Sequence, residues 1–400
     1  MLKGKTILLG ITGGIAAYKM ANLTSMLIKN GATVHVIMTE NATKFISPLT
    51  FETLTNNRCI TDTFDRNFSY DVEHISLAKA SDLLLIAPAS ANTIGKIANG
   101  LADNMLTTTA LACTCPILIA PAMNSRMYLN QVVQKNMKTL SFLGMEVISP
   151  ASGRLACGDS GIGKLPDPEV LFFHIENKIA YKKDLLGKKV LVTAGPTRES
   201  IDPVRYISNH STGKMGYAIA EICMLRGAHV TLVTGPTAIV PPMFVDVINV
   251  VSAKEMFDAV TNISDSQDII IKAAAVADYK PEKEAFEKIK KSDSSSVLNL
   301  ARTTDILKYL GENKREGQFL CGFAMETEHL LENAKSKLNN KHLDMIVANS
   351  LREEGAGFGT TTNRVTIITP DEQEQLPLMS KKEVAEKILN TIIEITTKKL

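Results

Sequence analysis

One pattern constrains this chain more than any other, and it occurs twice. Residues 5–10, KTILLG, form a short apolar run that enters the small-residue stretch ITGGIAAYK; a helical pattern continues to Lys29, Gly31 stops it, and TVHVIMT follows. Residues 189–196, KVLVTAGP, begin the same course again, with a helix after STGKMG that stops at Gly227 and AHVTLVTG behind it. Even the wording repeats, Gly31-Ala32-Thr33-Val34 against Gly227-Ala228-His229-Val230. Apolar runs of this length on either side of a helical segment read as strand–helix–strand units. Parallel strands need a crossover between them, so such alternation implies mostly parallel sheets covered by helices. At 400 residues the chain exceeds what one core usually serves. The expected fold class is α/β, as two doubly wound, mostly parallel-sheet domains.

The first half continues with a strand at DLLLIAP (82–88), one helical segment through residues 91–112, and a strand at PILIAPAM. The second offers Ser252-Ala253-Lys254-Glu255, a capping box that opens a helix, then strands at DIIIKAAA and DMIVAN. A charged stretch, IENKIAYKKDLLGKK, separates the halves and puts the boundary near residue 187, giving domains 1–187 and 188–400. Residues 279–296, YKPEKEAFEKIKKSDSSS, are polar and predict a mobile loop.

Charge narrows the partners. Lys and Arg total 44 against 42 Asp and Glu, a net +2, which gives neither a nucleic-acid footprint nor a polybasic membrane signal. Small molecules are the expected partners. Six cysteines at 59, 113, 115, 157, 223 and 321 form no CxxC pair and no zinc spacing, so neither a disulfide framework nor a metal-ligand set is read. The opening MLKGKTILLG is too short for a signal peptide, and no stretch reaches the length of a membrane span, so a soluble cytoplasmic protein is expected.

In open α/β sheets, ligands bind beyond the carboxyl ends of the strands, where helix N-termini present N–H groups to anions. The loop NHSTGKMG (209–216) has the Gly-Lys of a P-loop but carries Ser208 where that pattern needs Gly and Met215 where it needs Ser or Thr. The glycines of GITGGIAAYK fall at 10, 13 and 14, not as GxGxxG, and TAGPTRE has only Gly195. Glu40 follows Thr39, and Thr234-Gly235 hold the equivalent place in the second half, so no acid ends a second strand to grip a ribose. A dinucleotide enzyme is disfavoured, while phosphate binding survives. His74, at a helix start, reads by itself as a surface or capping residue. Asn124 follows a strand directly and suits either a ligand or a turn. Cys157 sits in the glycine-rich SGRLACGDSGIGKL, which predicts a thiol on a flexible flap. Cys113 and Cys115 read as core. Lys288, Lys290 and Lys291 make either a solvated charge run or an arm that closes over a triphosphate. Asp278, just past a strand end, suits a ligand or a metal-bound water. Lys337 and Lys341, four apart, share one helix face, with surface decoration as the plain alternative.

Together GGIAAYK, EHISLAKASD, PAMN, ACGDSGIGKL, AGPTRE, DPVRYISNHSTGKMG, AAAVADY, EKIKK and GFAMET occur in family order. Over nearly its full length the chain resembles the bifunctional bacterial phosphopantothenoylcysteine decarboxylase/phosphopantothenate–cysteine ligases of coenzyme A synthesis. The resemblance implies a flavoprotein-like N-terminal half in which Gly13, Gly14, Thr39, Ser90, Asn92 and Thr107 hold FMN. There His74 acts as base or orients charge, and Asn124 grips the substrate carboxylate. The flavin oxidises the cysteinyl thiol to a thioaldehyde, an electron sink for loss of CO2, and Cys157 protonates the enethiolate as it is reduced. The Rossmann-like second half is implied to activate the carboxylate of 4'-phosphopantothenate with CTP as an acyl-cytidylate, which the amine of cysteine attacks. Asn209 belongs to that acyl-nucleotide step, the loop and helix after it meet the phosphate-bearing substrate, and Lys288 belongs to nucleotide activation. Ala273, Asp278, Thr303, Thr304, Asp305, Ile306, Phe323, Lys337 and Lys341 hold CTP. Mg2+ accompanies the triphosphate without a dedicated protein cage. The family further implies a homo-oligomer, a dodecamer of trimeric decarboxylase and dimeric ligase contacts.

Two departures stand out: Met127-Tyr128 where relatives often have Met-Trp, and Thr303-Thr304-Asp305-Ile306 where they often have Asn-Pro-Asp-Ile. Two rivals were weighed against the family. A two-domain dehydrogenase lacks both glycine fingerprints here. A regulatory protein that had lost catalysis should lack some of His74, Asn124, Cys157, Asn209 or Lys288, and all five are present.

Overall fold

A computed structural model describes residues 2–64, 73–154, 158, 160–290, 297–326, 330–350, 357 and 359–398. It divides into two compact units, Met1–Lys182 and Lys183–Leu400. The division falls ahead of residue 187 because the linker is already bound into the second unit: Arg226 Nε and Nη2 donate to the Asp184 carboxylate at 2.8 and 2.7 Å, and Leu185 N donates to Arg226 O at 3.1 Å.

The first unit is built on β1 (Thr6–Ile11), β2 (Thr33–Met38), β3 (Cys59–Ile60), β4 (Leu83–Ala89), β5 (Ile117–Pro121) and β6 (Glu146–Val147), in the spatial order β3-β2-β1-β4-β5-β6. Every neighbouring pair is parallel. Alternation sends Ile7, Leu9 and Ile11 of β1 into one core with α1 (Met20–Lys29), and Leu8 into another with α3 (Ala91–Ala98) and α4 (Met105–Ala112). That two-sided burial is why the strands read as unbroken apolar runs. The stretch 91–112 is two helices instead of one. Asn99 and Gly100, the latter at φ 69°, end α3, and Asn104 starts α4 by accepting from Thr107 N at 3.0 Å. Cys113 and Cys115 are half-buried at the margin of the second core, not inside it, because they lie in the turn between α4 and β5.

The second unit repeats the plan with β7 (Lys189–Ala194), β8 (His229–Thr234), β9 (Asp246–Asn249), β10 (Ile269–Lys272), β11 (Phe319–Glu326), β12 (Met345–Ser350), β13 (Thr366–Ile368) and β14 (Gln373–Gln375). Their order is β9-β8-β7-β10-β11-β12-β13-β14; the first six are parallel, and the last two are added antiparallel. Among its helices, α5 (Lys214–Leu225) packs on β7 and β8, α6 (Ala253–Ser264), α7 (Ile306–Glu312) and α8 (Leu330–Asn340) cover the sheet, and α9 (Lys381–Lys398) packs on α5. The expected Ser252 cap opens α6, with Ser252 Oγ accepting from Glu255 N at 3.2 Å, but the returning half of the box reaches one residue further back, Glu255 Oε2 accepting from Val251 N at 2.8 Å.

Residues 282–290 form an exposed loop, as expected, but it is tethered at several points. Tyr279–Pro281 pairs antiparallel with Leu300–Arg302, and Ala285 N donates to Ile201 O at 2.9 Å. Asp202, its side chain fully buried, is the anchor: its carboxylate accepts from Val204 N at 2.9 Å, Arg205 N at 2.8 Å, Ile289 N at 3.2 Å and the Arg205 guanidinium. Polar composition misleads here because the side chains face outward while the backbone is held. Residues 291–296, and with them Lys291, lie outside the described residues.

α5 can approach the sheet only because residue 216 is glycine: a Cβ there would meet Ala194 Cβ at 2.6 Å and Thr193 O at 2.9 Å. Gly216→Ala is therefore expected to cost the second unit about 1–3 kcal/mol in denaturant unfolding, as overpacking does, while the transition of the first unit stays put. The hydrogen bonds from Arg205, with those from Val204 and Ile289, hold the Asp202 carboxyl far below its ordinary range. A depressed folded-state pKa contributes stability that is complete above the unfolded value of about 3.9 and drains away as pH falls below it. Acid titration of unfolding should show this limb for the second unit, and Asp202→Asn should flatten it.

Candidate functional site

Both sheets change winding direction at one place, between β1 and β4 in the first and between β7 and β10 in the second. The crevice at such a switch point is where α/β sheets bind ligands. In the first unit Thr12 staples the two loops together: its Oγ1 donates to Pro88 O at 2.6 Å and accepts from Ser90 N at 2.9 Å. Ser90 in turn caps α3, accepting from Thr93 N. Gly13 is required because a Cβ would run into Asn41 Cβ at 2.5 Å, whereas at Gly14 it would meet nothing within 4 Å. Thr39 leaves β2 with its N donating to Ile11 O at 3.0 Å, and its buried Oγ1 has no hydrogen-bond partner among the described residues. Asn92 is exposed in the first turn of α3, and Thr107 is buried at the start of α4 in a reciprocal cap with Asn104.

His74 is half-buried in the first turn of α2 (Glu73–Ala80), as its place at a helix start implied. Asn124 does satisfy a turn, its Oδ1 accepting from Arg126 N at 2.8 Å just beyond β5. Cys157 lies outside the described residues, but the strands that flank it in sequence, Ala151–Arg154 and Ser160–Lys164, pair antiparallel as the arms of a hairpin. Its base is docked on the Asn124 turn: Met123 N donates to Gly163 O at 3.0 Å and Ser125 Oγ to Ile162 O at 2.7 Å. The glycines that suggest a loose flap are thus needed for contact, since a Cβ on Gly161 would meet Ser125 Oγ at 2.4 Å.

The second unit carries a cleft of about 460 Å³ at its switch point. Asn209, Ala273, Asp278, Thr303, Thr304, Asp305, Ile306, Phe323, Lys337 and Lys341 all line it, so ten of the eleven expected residues converge. Lys288 does not line it and is exposed, next to the Ile289 backbone that Asp202 and Arg205 clamp. Asn209 Nδ2 donates to Ala275 O at 3.0 Å, at the carboxyl end of β10. Thr303 donates its hydroxyl to Ala277 O at 2.6 Å. Asp305 caps α7 through Lys308 N at 3.1 Å and pairs with Lys341 Nζ at 2.6 Å. Burial pushes the Asp305 carboxyl up, but Lys341, the Lys308 amide and Lys272 together hold it below its usual range.

Lys214, the lysine of the NHSTGKMG loop, lines the cleft too, and two lysines the sequence reading passed over complete the wall: Lys272 and Lys381. Burial, reinforced by Lys341 and Lys337 and opposed by Asp305 and Asp278, lowers the Lys272 ammonium to about 8. Its signal was available, since an amine that ends an all-isoleucine strand lies where ligands bind. Lys381 had no such signal, because at the head of an amphipathic C-terminal helix it looks like its neighbour Lys382. Among the described residues no three His, Cys, Asp or Glu side chains group as metal ligands.

Residues 1–180 match the family model described as Flavoprotein, and residues 185–396 match the DNA/pantothenate metabolism flavoprotein C-terminal domain. The chain is 48% identical over 400 residues to the coenzyme A biosynthesis bifunctional protein CoaBC of Bacillus subtilis (strain 168), covering 99% of this chain and 98% of that one. The chain belongs to the bifunctional coenzyme A biosynthesis proteins. The coenzyme A biosynthesis bifunctional protein CoaBC of Vibrio vulnificus (strain YJ016) is 45% identical over 393 residues, 98% of each chain. A crystal structure of the C-terminal domain of a coenzyme A biosynthesis bifunctional protein CoaBC is 46% identical, covers 54% of this chain and 100% of its own, and superposes with a TM-score of 0.47. As a member of this family the chain is an enzyme of coenzyme A synthesis with two activities, a ligase and a decarboxylase, and its first unit is a flavoprotein domain.

The orphan hydroxyl of Thr39 and the open backbone at Gly14 fit a flavin at the first switch point. Thr39→Val removes one hydrogen bond without changing volume, so flavin affinity is expected to fall about tenfold, read from the visible absorbance retained after dialysis.

Proposed function

We propose that the second unit joins 4'-phosphopantothenate to cysteine by way of an acyl-cytidylate made with CTP, and that the first unit, holding FMN, decarboxylates the resulting 4'-phosphopantothenoylcysteine to 4'-phosphopantetheine. The observation that carries the ligase half is the lysine-lined cleft at the β7/β10 switch point. A carboxylate is a poor electrophile, and making it a mixed anhydride needs a nucleotide and cations to take the charge of departing pyrophosphate. Lys272, Lys337 and Lys341 meet the triphosphate, with Asp305 fixing Lys341 in place. Asn209, anchored on Ala275, orients the reacting acyl group. Lys288 is the arm that closes from the clamped Ile289 backbone, and Asp278, Thr303, Thr304, Ile306 and Phe323 surround the nucleoside. Mg2+ enters with CTP, held chiefly by phosphate oxygens.

In the first unit Gly13, Gly14, Thr39 and Ser90 hold FMN, with Asn92 and the helix start at Thr107 beside it. When bound, the flavin supplies oxidation of the substrate thiol, which makes loss of CO2 feasible. The chain's own residues do the rest: His74 orients charge or accepts the thiol proton, Asn124 grips the departing carboxylate, and Cys157, which falls in sequence between the two strands of the hairpin, returns a proton at carbon. Exposed Ile15, Tyr18, Leu49, Leu129, Val132 and Phe142 on this unit suit subunit contacts, in keeping with trimers assembled into a dodecamer. No helix among the described residues is long and apolar enough to cross a membrane, and cytoplasmic residence is part of this reading.

Pyrophosphate release tests it. With 4'-phosphopantothenate present, release is expected with CTP and much less with ATP. Lys288→Gln should slow release about 10²- to 10³-fold, the scale of one lost electrostatic contact to the transition state, with flavin colour and CO2 release intact. Release that ignores the acid substrate, or simultaneous loss of both activities, would sink the proposal.

A further inference from the structure

Cys113 and Cys115 have no role in either proposed reaction. They lie where β4 and β5 begin, since Leu84 N donates to Pro116 O at 3.0 Å. The flavin reading uses the other end of β4, about 20 Å away along its seven residues. The turn that carries the two cysteines is fixed on both sides. Cys113 N closes the last turn of α4 on Thr109 O at 3.0 Å and the chain then leaves in extended backbone, φ −68° and ψ 133°, while Pro116 is held by Leu84. Residues two apart span at most about 7 Å between Cα atoms, the upper edge of the window that a disulfide bridges. The side chains use this closeness, the Cys113 thiol donating to the Cys115 sulfur.

The pair differs in kind from the other described cysteines. Cys59, Cys223 and Cys321 are buried; burial pushes the first two thiols up to about 12 and raises the third as well. Thiols of that sort are inert. Cys113 and Cys115 are half-buried and flanked by exposed Leu111, Thr114 and Pro116. The hydrogen bond from Cys113, with others from its own amide and that of Leu84, outweighs burial and the charge of Asp82 at Cys115, which alone among the described cysteines is brought below its ordinary range. The same contact, with burial, holds Cys113 far above it. A turn residue that only packs against the core needs no second sulfur beside it. Here the turn presents a nucleophilic sulfur and, one residue away, a protonated sulfur already touching it.

We propose that Cys113 and Cys115 form a dithiol site that reacts with low-molecular-weight disulfides and closes to an intramolecular disulfide, with Cys115 attacking and Cys113 resolving. The Cys115 thiolate attacks one sulfur of the small disulfide; a Cys115–sulfur bond forms, the small disulfide's own sulfur–sulfur bond breaks, and one thiolate leaves. Cys113 then gives its proton to solvent and attacks the Cys115 sulfur, which expels the second thiolate. The protein loses two electrons and two protons, and the small disulfide becomes two thiols.

The test exposes the full chain, with its flavin bound, to glutathione disulfide, quenches with acid, and weighs the peptide 97–126 that trypsin releases by cutting after Lys96 and Arg126. That peptide holds Cys113 and Cys115 and no other cysteine, so reaction at Cys157 does not enter the reading. In the unsubstituted chain it should lose two hydrogens and regain them with dithiothreitol. Cys113→Ser should accumulate glutathione on Cys115, because nothing resolves the mixed disulfide. Cys115→Ser should take up glutathione on Cys113 at least about tenfold more slowly, since its thiol stays protonated. The unsubstituted chain carries the test even where a serine variant fails to fold. A peptide 97–126 that keeps both thiols, or that stops with glutathione attached, overturns the site; equal uptake by the two variants overturns the roles assigned to the two sulfurs.

Discussion

Strands sealed on both faces dictate everything else in this chain. In β4 all seven residues are buried, and in β1 alternate side chains enter two different cores. A sheet covered in this way exposes only its ends, and crossover connections place the loops that precede helices at the carboxyl end. Chemistry then has one address per unit. Thr12 binding the loops after β1 and β4, and Ala275 N donating to Gly195 O at 2.9 Å across β7 and β10, are the same solution to closing a switch point.

Within that address the charges are organised unevenly, and the unevenness carries information. Lys341 is neutralised by Asp305, and Lys272 feels both acids and lysines, so this side of the cleft has a balance of its own. Lys381 and Lys214 have carbonyls in place of carboxylates. Asp202 works the other way: a buried carboxylate fully engaged by donors spends its charge on holding the Ile289 segment. The exposed Lys288 thereby stands beside a fixed stretch of backbone.

Much of this was legible in the residues. The doubled strand–helix–strand course, the Ser252–Glu255 box and the convergence of residues 273–278, 303–306, 323, 337 and 341 follow from periodicity, local hydrogen-bonding rules and family likeness. What escaped was non-local. Residues 91–112 look like one helix until Asn104 is seen capping a second, and 279–290 look loose because nothing nearby in sequence reveals Asp202 as their anchor. Glycine density around Cys157 reads as flexibility, yet Gly161 and Gly163 are there to let a hairpin lie against Ser125 and Met123.

The sequence by itself determined the elements, their alternation and therefore the edge of each sheet at which ligands bind, since periodicity and caps act over a few residues. Only the tertiary structure decided which charges face one another there. Lys214 and Lys381 are far apart along the chain, and their shared end of the cleft arises from two parallel helices packed side by side. Electrostatics and burial depend on distance in space, which no local pattern of residues encodes.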